Sequence, residues 1–187
     1  MSTKKRLFCA VKIPALEAIE EGIADFREVL SGERIKWVHP ENLHLTLKFF
    51  GDTPETKEPE IINALTEAVE KSDPFSVIIQ GCGTFGKPGM PRVIWLGFDE
   101  AGPLENLYHE VNKQLEPLSY KPDKPTFIPH LTIGRIKQIR HTEPLDDMIE
   151  EYRDFRFGKV TMESLILFES ILKPQGPIYK VVKSFDL

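Results

Sequence analysis

The sequence predicts an α+β fold: a bilobal, pseudo-two-fold duplication in which each lobe is an antiparallel sheet backed by helices. Three observations carry this. Segments with strand alternation and segments with helical spacing follow one another as strand, helix, strand, helix, strand, and that order recurs in the second half. The pattern His-Leu-Thr plus an aliphatic residue stands at 44–47 and again at 130–133, in the corresponding strand of each half. With 41% hydrophobic and 28% charged residues, the composition is that of a folded, soluble chain, not a disordered one. The expected organisation is one bilobal domain over residues 1–187.

Residues 6–13 alternate and are rich in β-formers, so they predict a strand. In 14–30, Leu16, Ile19, Ile23, Phe26 and Leu30 recur at helical spacing. Short and longer strands are expected at 35–38 and 43–50, the second ending at Gly51. A helix over 54–71 presents Ile61, Leu65 and Val69 on one face, and 75–80 is again a strand. Glycines and prolines over 81–91 predict a loop. The second half offers a strand at 92–98, a helix at 103–118 with Leu104, Leu107, Val111 and Leu115 on one face, and a lysine/proline loop at 119–126. A strand broken by Pro129 follows at 127–136, then a short helix at 145–152 and strands at 155–160, 164–170 and 179–185.

The net charge of −5 and pI near 5.6 argue against a protein that coats nucleic acid along its length. A local basic pocket for one nucleotide end is still compatible with that balance. Lys4-Lys5-Arg6 and the apolar residues after it resemble the start of a signal peptide, but Lys12 and Pro14 cut the run short. No stretch approaches the roughly 18 apolar residues of a membrane span. Cys9 and Cys82 suggest no disulfide framework, so a cytoplasmic location is expected. There is no Gly-Lys-Ser/Thr in the glycine-rich segment and no His-Glu-x-x-His anywhere, so neither a nucleoside-triphosphate loop nor a metal site is predicted.

Chemistry concentrates in the repeated tetrapeptide. On a strand, residues i and i+2 share a face, so each motif sets an imidazole beside a hydroxyl: His44 with Thr46, His130 with Thr132. Two such strands meeting at a pseudo-two-fold axis face both pairs into one groove. In-line displacement at phosphorus needs a base for the incoming water and an acid for the departing oxygen. Histidine serves as either near neutral pH, and threonine hydroxyls can donate to the non-bridging oxygens. A lone His-x-Thr is more often structural; the matched pair is the specific signal.

These motifs, with Arg6-Leu7-Phe8, Trp37, the run from Asn42 to Gly51, Arg92 to Gly97, Arg135, Glu169-Ser170 and Pro177-Ile178-Tyr179, make the chain resemble the 2H phosphoesterase superfamily. Within it the resemblance is to RNA 2′,3′-cyclic phosphodiesterases, a group also called the 2′-5′ RNA ligase family, and it covers nearly the whole length. The resemblance implies a bilobal fold with both motifs lining a central cleft, no metal or other cofactor, and hydrolysis of 2′,3′-cyclic phosphate to a 2′-phosphomonoester. It implies that His44 is the acid for the 3′ oxygen and His130 the base for water. It implies too that Thr46 and Thr132 hold the phosphate and that Phe49 and Arg135 flank the base or contact the phosphate. Substrates would be RNA ends or oligonucleotides bearing the cyclic phosphate, tRNA halves among them, and nothing requires more than a monomer. The same groups serve the reverse reaction, 2′-5′ ligation, and a non-catalytic module that only binds RNA ends is a third reading.

Ideal strand geometry conflicts with part of that picture. Phe49 and Arg135 each lie five residues after a histidine, an odd offset that turns them to the opposite face unless a bulge intervenes, for which Gly134 is suited. His39, His109 and His141 read as surface or capping residues. Arg135, Lys137 and Arg140 read either as a solvated loop or as a cluster that steers RNA, and Trp37, Trp95 and Tyr179 either as core or as the edge of a stacking surface.

Overall fold

A computed structural model describes residues 3–122, 126–174 and 176–187. It contains β1 (Lys4–Lys12), α1 (Glu17–Val29), β2 (Arg34–Trp37), β3 (His44–Pro54), α2 (Glu58–Val69), β4 (Phe75–Lys87), β5 (Met90–Asp99), α3 (Gly102–Leu115), β6 (Leu131–Gln138), α4 (Glu143–Glu151), β7 (Arg156–Met162), β8 (Ser164–Lys173) and β9 (Gly176–Asp186). Residues 123–125 of the expected lysine/proline loop lie outside the described residues.

The helices form where apolar spacing leaves one face to bury. Ile19, Ile23 and Phe26 of α1 are all buried, and Glu17 and Glu20 place negative charge on its first turn, where the helix dipole favours it. Each such apolar side chain removed from water stabilises the fold by about 1.5–3 kcal/mol. Among the described residues no helix is long and apolar enough to cross a membrane.

Two antiparallel sheets result, one ordered β3-β1-β8-β9 and the other β2-β6-β5-β4-β7. Helices α2 and α3 pack together behind the first sheet, against β9 and β3, while α1 and α4 pack behind the second, against β7 and β4. The lobes therefore do not coincide with the two halves of the chain. Strands β2 and β4 from the first half join the second sheet, and the last two strands return to the first. One apolar core, including Cys9, Phe26, Leu65, Ile79, Val111 and Leu165, continues behind both sheets. Cys9 lies in the first sheet and Cys82 in the second, with no disulfide between them.

The segment 81–91 is not a loop. Strand β4 runs to Lys87 and β5 starts at Met90, with Lys87 opposite Met90 across a two-residue Pro88-Gly89 turn. Proline presets the first corner, and Gly89, at φ +69°, takes the left-handed second one. Conversely, 127–130 is not strand: β6 begins only at Leu131, after Pro129.

Candidate active site

His44 opens β3 at the edge of the first sheet, and His130 immediately precedes β6 in the second. Both rings are anchored in the same way. His44 Nδ1 lies 2.6 Å from the carbonyl oxygen of Asn42, and His130 Nδ1 lies 2.7 Å from that of Ile128, each two residues upstream. A carbonyl only accepts, so Nδ1–H is the donor in both the neutral and the charged ring. That assignment makes Nε2 the nitrogen that gains and loses a proton.

Both histidines line one cleft of about 290 Å³ together with Thr46, Thr132, Phe49 and Arg135. The threonines follow from strand alternation. Phe49 and Arg135 are there because each motif strand carries a bulge at the same point. In β3, Thr46 faces Ala10 and Lys48 faces Cys9, leaving Leu47 as an extra residue. In β6, Thr132 faces Trp95 and Gly134 faces Ile94, leaving Ile133 extra. One inserted residue converts the odd offset to an even one and turns Phe49 and Arg135 to the histidine face. Gly134 serves this bulge through space: a Cβ there would come within 3.0 Å of the Trp37 ring.

Aromatic rings hold both histidines. Phe8 and Tyr179 pack on His44, each with its ring centre 5.1 Å away, and Phe85 meets His130 edge-on at 4.8 Å. Phe8, Phe168 and Tyr179 belong to a second apolar cluster on the first sheet, separate from the main core. Burial in this setting lowers the His44 pKa below its ordinary 6.5; the Arg135 and His130 charges act in the same sense, and the Asn42 carbonyl opposes them. Burial also raises the Tyr179 pKa, against a smaller opposite effect from Arg135.

The rest of the wall is mostly apolar, with Phe85, Val93, Tyr108, Phe127 and Ile128 in it. Tyr108 and Phe127 stack in parallel at 3.9 Å, and Phe49 is 54% exposed beside this surface. Sequence reasoning missed Phe85 because it fell in the segment read as a loop. Its position two residues after Gly83 and shortly before a Pro-Gly turn was the available signal. Tyr108 and Phe127 carried none, since their meeting depends on how α3 packs behind the first sheet.

Trp37 and Trp95 divide between the two faces. Trp37 pairs with Gly134 on the side away from Arg135, and Arg27 of α1 lies over its ring at 5.8 Å. Trp95 lies opposite Thr132 and packs against Phe85 at 5.2 Å. His39, His109 and His141 are exposed and do not line the cleft. No carboxylate among the described residues lines it either, and no three described His, Cys, Asp or Glu side chains gather as a metal-binding group.

The 2′-5′ RNA ligase superfamily model matches residues 15–170. The chain belongs to that superfamily. An RNA 2′,3′-cyclic phosphodiesterase of Methanocaldococcus jannaschii is 39% identical over 96% of this chain and 99% of its own length. One of Archaeoglobus fulgidus is 38% identical over 97% and 99%. Among solved structures, a protein of Thermus thermophilus superposes with a TM-score of 0.76 at 30% identity, covering 97% of each chain. E. coli LigT in complex with 3′-AMP superposes at 0.74 and 23% identity over 98% of each, a likeness of fold. The two sheets and four α-helices among the described residues match the fold of these structures.

Proposed function

We propose that this protein hydrolyses RNA 2′,3′-cyclic phosphate ends to 2′-phosphomonoesters, using His44 and His130 as paired acid and base and no metal. The observation that carries the proposal is the matched pair of histidines, each anchored through Nδ1 and each beside a threonine, in one cleft. The cyclic phosphodiesterase names of the M. jannaschii and A. fulgidus relatives support the substrate.

In this mechanism the phosphate sits between the histidines. His130 Nε2 removes a proton from water as its oxygen attacks phosphorus, and His44 Nε2 protonates the departing 3′ oxygen, leaving the phosphate on the 2′ oxygen. Thr46, Thr132 and Arg135 donate to the non-bridging oxygens as charge builds there. Phe49 and the apolar wall take the base. Each histidine contributes roughly 10²- to 10⁴-fold, about 3–5 kcal/mol of barrier. The lowered pKa of His44 works against its acid role in the free enzyme. The substrate's anionic phosphate offsets that by favouring the imidazolium.

The test is turnover of a short RNA ending in a 2′,3′-cyclic phosphate, in EDTA, with the product identified. Wild type should release a 2′-phosphate, and His44→Ala and His130→Ala should each lose at least roughly 10²-fold in kcat. Turnover that EDTA abolishes, or that survives in either variant, would overturn the mechanism.

A further inference from the structure

We propose that a basic groove beyond Arg135 binds the RNA chain upstream of the cyclic phosphate, so that the protein prefers polynucleotide ends to mononucleotides. This rests on the cyclic-phosphate reading of the cleft.

The groove encloses about 410 Å³ and adjoins the cleft, with Arg135 lining both. Lys36 and Lys137 form one wall, and Ile178 and Tyr179 of β9 form part of the other. Lys36 is directly opposite Arg135 in the β2–β6 pairing, which puts the two cations on one face. The Lys36 ammonium reaches across toward the β8–β9 turn, with Nζ 3.5 Å from where a Gly176 Cβ would stand. Among the described residues no ion pair engages Lys36, Arg135 or Lys137. The carboxylate that lines the groove, Glu41, is drawn toward His39 at 3.8 Å.

Solvated lysines are ordinary on a convex surface, and this chain carries a net charge of −5. Three cations on one concavity beside the cleft that takes the cyclic phosphate form a local exception, with the field of a phosphodiester track. Ile178, 53% exposed on the facing wall, offers apolar contact to ribose or base without reading sequence. The apolar wall of the catalytic cleft suits the terminal base and offers nothing to a chain of phosphates. The adjoining groove offers that chain its cations, next to the arginine that holds the reacting phosphate.

The experiment compares a nucleoside 2′,3′-cyclic phosphate with an octanucleotide ending in the same group, for wild type and the double variant Lys36→Glu/Lys137→Glu. Both lysines are exposed, and mononucleotide turnover checks that the variant is folded. Wild type should show a lower KM for the octanucleotide. The variant should raise that KM on the order of tenfold and flatten its log–log salt dependence by about 1.4, two single-strand phosphate contacts, while mononucleotide kinetics stay within about twofold. Equal KM for both substrates in wild type, or equal effects of the variant on both, would overturn the groove. Fluorescence anisotropy with a 3′-phosphorylated octanucleotide reads the groove without turnover. Binding weakened by the double variant in a protein that hydrolyses neither substrate would uphold the groove and sink the catalytic reading.

Discussion

Replacing Gly83 by alanine should damage catalysis from a residue that does not touch substrate. Gly83 lies on β4 opposite Trp95, and a Cβ there would stand 2.4 Å from the indole ring. An ordinary carbon contact is at least 3.4 Å, so the ring must retreat by about 1 Å. Trp95 supports Phe85 at 5.2 Å, and Phe85 in turn meets the His130 ring at 4.8 Å. Overpacking of this kind costs about 1–3 kcal/mol, which at this chain length is on the order of 2–10 °C in Tm. A displacement near 1 Å passed to a reacting group costs up to about 10²-fold in rate. Gly83→Ala should therefore lower both Tm and kcat, and adding Trp95→Phe, a smaller ring, should recover much of each. Gly32→Ala, where a Cβ meets nothing within 4 Å, is the control. Thermal unfolding and steady-state kinetics on the cyclic-phosphate RNA make the measurement. A Gly83→Ala protein with wild-type Tm and kcat would refute the stacked support of His130.

In a bell-shaped profile the lower of two histidine pKa values sets the acid-side limb, whichever ring carries the proton in the active form. Because burial lowers the His44 pKa, the acid-side limb of log kcat/KM should have its midpoint below pH 6.5. Tyr179→Ala hydrates the His44 ring and should move that limb up toward 6.5, while Tyr179→Phe, which keeps the packing, should leave it in place. An unmoved limb in the alanine variant would remove aromatic burial as the cause. Gly134→Ala pushes on the Trp37 ring at 3.0 Å and on Ile35 at 3.2 Å, a milder conflict than at Gly83. It should cost about 1 kcal/mol by denaturant unfolding and raise KM through Arg135; unchanged stability and KM would show that the bulge tolerates a side chain. Burial pushes the Cys82 thiol up to about 12, so a disulfide-exchange reagent at pH 8 should leave Cys82 unmodified in the native protein and label it on unfolding. Fast native labelling would contradict that burial.

Features that depend on local periodicity and residue chemistry can be read from the amino-acid order alone. The helical faces of α1, α2 and α3 are legible because their apolar residues recur at 3–4 residue spacing. The His-Thr pairs are legible because a strand repeats every two residues. The tertiary structure decided whatever depends on a neighbouring strand. Phe49 and Arg135 reach the cleft only because β1 and β5 each skip one residue of their partner, at Leu47 and Ile133. Nothing local in a strand announces where its partner will skip. Phe85 joins His130 because a glycine-rich segment is held as a hairpin by pairing along its length, overriding the loop tendency of its composition. The two motifs meet between interleaved lobes because β2, β4 and the last two strands leave their own half of the chain. Those exchanges bury a common core across both halves, and burial summed over distant residues has no signature at any one position.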